Sequence, residues 1–81
     1  MRAMVYVTVK ENVLDPQGKA VQGALHSMGF GEVGEVRIGK YMELALDTID
    51  PALAEERVRA MCEKLLANTV IEDYRFELKG E

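Results

Sequence analysis

An Asp-Pro pair occurs twice in this chain, at Asp15-Pro16 and Asp50-Pro51, each time between an alternating apolar segment and a helical stripe. An aspartate at the N-cap accepts from the free amides of the first turn, and proline's fixed φ suits the first helical position, so each pair marks a helix start. Ahead of the first, Ala3, Val5, Val7 and Val9 alternate with Met4, Tyr6, Thr8 and Lys10, which is the period of a strand. Behind it, Val21, Ala24, Leu25 and Met28 share one helical face, and Gly29 stands where a left-handed C-terminal cap is wanted.

Ahead of the second pair, Val36 and Ile38 lie on one side of a short strand, Gly39-Lys40 turns the chain, and Met42, Leu44 and Leu46 alternate with Tyr41, Glu43 and Asp47. Behind it, Ala54, Val58, Met61, Cys62 and Leu65 form a second stripe ending near Asn68, and Tyr74, Phe76 and Leu78 alternate in a last strand. The expected order is β-α-β-β-α-β. Two β-α-β halves of this kind predict a ferredoxin-like α+β domain, an antiparallel sheet with two helices on one face. The opposite face then carries Met4, Tyr6, Thr8, Tyr41 and Ala45, a row too apolar for a purely solvated surface and hence a candidate self-association face.

A single domain over residues 1–81 buries only a modest fraction of its surface, which favours assembly into a dimer or tetramer. Ten basic against fourteen acidic residues, a net charge of −4, disfavour nucleic acid and anionic lipid as partners. A lone cysteine, Cys62, cannot close an internal disulfide, and Met1 leads straight into a strand pattern instead of a signal segment, so a cytoplasmic location is expected. The apolar runs are far too short to span a membrane.

Residues 29–40 match two phosphate-binding patterns. Gly29, Gly31 and Gly34 spell G-x-G-x-x-G, while Gly34, Gly39 and Lys40 spell G-x-x-x-x-G-K. Both motifs work only between a strand and a helix N-terminus, where amides and the helix dipole meet the anion. Here a helix comes first and a strand follows, so the negative end of the helix faces these glycines. Tyr41 also stands where a magnesium-binding Ser or Thr would follow Lys40. The only histidine, His26, has no second His or Cys at ligand spacing, and Cys62 on the apolar stripe of the second helix reads as a buried thiol. Neither a nucleophile nor a metal or cofactor site emerges. Asp15 and Gly18 are explained by capping and a tight first turn, although the run from Leu14 to Lys19 is also similar to the Pro-Gly turn of ligand-sensing ACT-type modules, the rival reading. The loop residues Asp15, Gly18 and Lys19, with Arg37, Gly39 and Lys40 at the expected hairpin, are the candidate contacts for a partner protein.

Several short runs, each weak alone, stand in an order and spacing that resembles the PurS subunit family of phosphoribosylformylglycinamidine synthase over nearly the whole chain. They are Val13-Leu14-Asp15-Pro16-Gln17-Gly18, Ala24-Leu25-His26-Ser27-Met28-Gly29, Val36-Arg37-Ile38-Gly39-Lys40 with Glu43-Leu44, and Leu66-Ala67-Asn68 with Val70-Ile71-Glu72-Asp73-Tyr74. Thr69 stands where that family carries proline. The resemblance implies a non-catalytic subunit of purine biosynthesis that bridges a glutaminase, PurQ, and a synthetase, PurL, and assists ammonia transfer between them. It also implies that ATP and magnesium are bound by PurL and not by this chain.

Overall fold

The computed structural model describes residues 1–47 and 50–80. Strand β1, Arg2–Val9, is followed by helix α1, Pro16–Ser27, strand β2, Gly39–Ala45, helix α2, Pro51–Met61, and strand β3, Glu72–Lys79. A π-helical turn, Cys62–Leu66, continues α2 before the chain reaches β3. The sheet is antiparallel with β1 in the middle, in the order β2-β1-β3. The α+β class with an antiparallel sheet and two helices is therefore what forms.

One face of β1 builds the core. Ala3, Val5 and Val7 are fully buried against Val58 of α2 and Cys62 at the start of the π-helical turn, and Ala67 closes the end. Met42 and Leu44 from β2, Leu46 just beyond it, and Tyr74, Phe76 and Leu78 from β3 pack around this centre. Burying each of the valines stabilises the fold by roughly 1.5–3 kcal/mol. The Arg59 guanidinium lies 5.4 Å from the Phe76 ring centroid and roofs the margin of the core.

Both predicted helix starts are made as the sequence implies. Asp15 Oδ1 accepts from the Gly18 amide at 2.9 Å, and Asp50 Oδ1 accepts from the Ala52 amide at 3.1 Å. Gly29 adopts φ 95°, the left-handed conformation, with its amide donating to the His26 carbonyl and the Phe30 amide to the Leu25 carbonyl. That paired arrangement satisfies two carbonyls that the helix leaves open.

The expected hairpin is corrected by the structure, and the order among the described residues is β-α-β-α-β. Val36 and Ile38 lie in a segment without regular secondary structure that pairs with no strand, and three of its backbone polar atoms are engaged by side chains around α1. Asp15 Oδ2 accepts from the Ile38 amide at 2.9 Å, Gln22 Nε2 donates to the Gly34 carbonyl at 2.6 Å, and His26 Nε2 lies 2.7 Å from the Val33 carbonyl. Gly39 and Lys40 do not turn; they open β2, paired with Thr8 and Val7. Glycine is needed at 39 because a Cβ would collide with the Val7 carbonyl oxygen across the ladder.

Candidate functional site

Two surfaces hold the residues singled out from the sequence. The first is the sheet face turned away from α2. The strand registers set its rows: Tyr6 between Tyr41 and Arg75, Met4 between Glu43 and Glu77, Arg2 between Ala45 and Lys79, and Thr8 between Gly39 and Asp73. Met4, Tyr6, Thr8, Tyr41 and Ala45 thus do share this face, but β3 adds a charged column to it. Arg75 stacks 3.9 Å from the Tyr6 centroid, and Tyr6 packs against Tyr41 with centroids 5.1 Å apart. Arg2–Glu43 and Arg75–Glu77 ion pairs, at 3.3 and 3.1 Å, complete the surface. An aromatic centre ringed by charge replaces the apolar patch expected from β1 and β2 alone. The alternation of Arg75, Glu77 and Lys79 carried that signal, and only the register of β3 beside β1 shows which face receives it.

The second surface lies where α1 leaves the sheet. Asp15 uses both carboxylate oxygens on backbone amides, one inside its own helix and one at Ile38. These bonds, the Ile38 amide first, hold its carboxyl below the ordinary carboxylate value, because each favours the charged form. Gly18 is buried, and a Cβ there would collide with the Val36 carbonyl oxygen, so its lack of a side chain lets residues 36–38 pass against the helix. Asp15, Gly18 and Gly39 are therefore all engaged inside the fold. Lys19 is exposed, Arg37 is mostly buried, and the two line one cleft with Asn12, Gln22 and Glu35. Lys40 lies outside this cleft, 3.9 Å from Glu72.

The glycines at 29, 31 and 34 follow the C-terminal end of α1, so the phosphate-loop geometry that their spacing suggests is not assembled. Among the described residues no group of three or more His, Cys, Asp or Glu side chains is placed to hold a metal ion, and no helix is long and apolar enough to cross a membrane. Burial raises the pKa of the Cys62 thiol, which lies within the core.

A family model described as PurS, phosphoribosylformylglycinamidine (FGAM) synthase, matches residues 2–80. The chain belongs to the PurS family. The Bacillus subtilis phosphoribosylformylglycinamidine synthase subunit PurS is 63% identical over 78 residues, covering 96% of this chain and 92% of that protein. A crystal structure of B. subtilis PurS overlays with a TM-score of 0.86 at 62% identity and covers 98% of both chains. Methanocaldococcus jannaschii PurS, described as one of the subunits of formylglycinamide ribonucleotide amidotransferase in the purine biosynthetic pathway, gives 0.86 at 38% identity, covering 99% and 98%. A chain in the structure of PurLQS from Thermotoga maritima also gives 0.86, at 30% identity, covering 94% and 93%. The overall fold is thus one that this chain shares with other PurS structures.

Proposed function

We propose that this PurS chain is a non-catalytic subunit of FGAM synthase that bridges the glutaminase and synthetase subunits during purine biosynthesis. The observation that carries this reading is the likeness, over nearly the whole chain, to a chain of the Thermotoga PurLQS structure. In this reading ATP and magnesium are held by PurL, glutamine is hydrolysed on PurQ, and the complex works in the cytoplasm. The task left to PurS is geometric. Ammonia released into bulk water is protonated and diluted, so keeping two active sites in register with a shielded path between them raises the fraction that reacts.

Self-association belongs to the same proposal. An 81-residue chain exposes much of its apolar surface. Val21, Met28 and Phe30 are all exposed along and beyond α1, and the Tyr6–Tyr41 centre is open on the sheet. A dimer or tetramer that covers these surfaces supplies burial that the isolated chain lacks.

The test is a synthetase assay with PurL and PurQ, run with and without this chain. Omission abolishes glutamine-dependent turnover and leaves ammonia-dependent turnover in place. Equal glutamine-dependent rates in both mixtures would overturn the assignment.

A further inference from the structure

The charged side chains on the open face of the sheet balance in sign, with Arg2, Arg75 and Lys79 set against Glu43, Asp73 and Glu77. A neutral face gives no preference to a strongly acidic or strongly basic partner, but the order of charges along β3 carries a preference of its own. Asp73, Arg75, Glu77 and Lys79 are all exposed on this face and alternate in sign, negative at one end and positive at the other. Reversed end for end, such a column becomes its own complement, each charge meeting one of opposite sign. Arg75 and Glu77 pair within the chain at 3.1 Å, whereas Asp73 and Lys79 form no ion pair among the described residues.

We propose that a second copy of this chain stacks on the open face, sheet against sheet, about a two-fold axis that crosses the strands between the Met4 and Tyr6 rows. β1 then runs antiparallel over the partner's β1, and each row faces the row at equal distance on the other side of the axis. Arg75 meets the partner's Glu77, Asp73 meets the partner's Lys79, and the Tyr41 hydroxyl donates to the partner's Glu43. Tyr6 lies over the partner's Met4, a sulfur–aromatic contact. Stacked sheets lie about 10 Å apart, a gap that facing Arg and Glu side chains span together. The strand registers disfavour the other two-fold arrangements. An axis along β1 sets Glu43 against the partner's Glu77, and an axis through the Tyr6 row sets Arg75 against the partner's Arg75 and Glu77 against the partner's Asp73. Like charges placed opposite one another at an interface cost affinity. This rests on the self-association proposed above and gives it a face, an orientation and named pairs.

The experiment measures self-association of the full chain by sedimentation equilibrium, with circular dichroism melting to confirm that each variant folds. Arg75→Glu and Glu77→Arg each weaken association by on the order of tenfold or more. An equal mixture of the two variants associates at least as tightly as wild type, because one chain then offers carboxylates at both positions and the other offers guanidiniums. Folded variants that each associate as wild type, or a mixture no tighter than either variant alone, would overturn the stacking, while the glutamine-dependent assay with the unmodified chain tests the subunit reading separately. Variants that self-associate normally but no longer bind PurL would overturn it in favour of a partner subunit on this face.

Discussion

α1 and α2 open with the same Asp-Pro device and carry apolar stripes of the same spacing, yet they are supported in opposite ways. On α2 and the π-helical turn that continues it, most of the stripe becomes core: Ala54, Val58 and Cys62 have no exposed surface, whereas Leu65, expected on the same stripe, is 83% exposed because the π-helical turn shifts its position around the helix. On α1 only Gly18 is buried, while Val21 keeps 39% and Met28 70% of their surface exposed. The arm built from α1 and residues 33–38 is held by polar bonds from Asp15, Gln22 and His26. Capping and periodicity therefore decide that a helix forms, and the topology of the sheet decides whether its stripe finds a surface. Short helices in water are marginal without such support, so the arm is the part of the molecule most dependent on its polar ties and on association.

The sharpest way to break this contrast is at Gly39. Gly39→Ala drives a methyl against the Val7 carbonyl and should cost about 2–3 kcal/mol in chemical unfolding, because the clash is with backbone in the central ladder. A cost near zero would mean that β1 and β2 separate easily and that the core is no firmer than the arm. Val5→Ala, which empties a fully buried site, should cost about 2 kcal/mol.

Asp15 tests the arm itself. Its folded pKa lies below the ordinary 3.8, so its contribution is present above that value and disappears as the pH falls through the lower, folded value. The Ile38 amide resonance should titrate in that acid window in the wild type and show no such step in Asp15→Asn. A pH-independent Ile38 signal in the wild type would remove Asp15 from the role of tie. Smallest of all, Val21→Ala should change the stability of the isolated chain by about 0.5 kcal/mol or less. A larger cost that grows with protein concentration would show α1 covered by a second copy.

Much of the core could be read from the residues, because it is coded locally. The alternation in β1 and β3, the two capped helix starts and the glycine stop after α1 all depend on neighbours within a few positions. The misread hairpin shows where that code ends. Val36 and Ile38 form no strand, and Asp15, more than twenty positions earlier, takes the Ile38 amide that a strand partner would need. Gly39 was recognisable as special, though the reason lies across the ladder at Val7 and not in a turn. The same limit applied to the open face, whose charge came from β3, and to the cleft, whose lining brings together Lys19 of α1 and Arg37 from a separate segment.

β1 lies between both of its partners although it is the first element of the chain, and Val5 pairs with Phe76 close to the other end. During synthesis β1 must wait, unpaired on one side, until β3 has been made. Contacts of such long sequence separation require a large loop to close before they return any stabilisation, so folding should be slow for a chain of this length. A chain cut short within β3 would then leave not a smaller domain but a valine-rich strand with one edge bare, available to another unfinished copy.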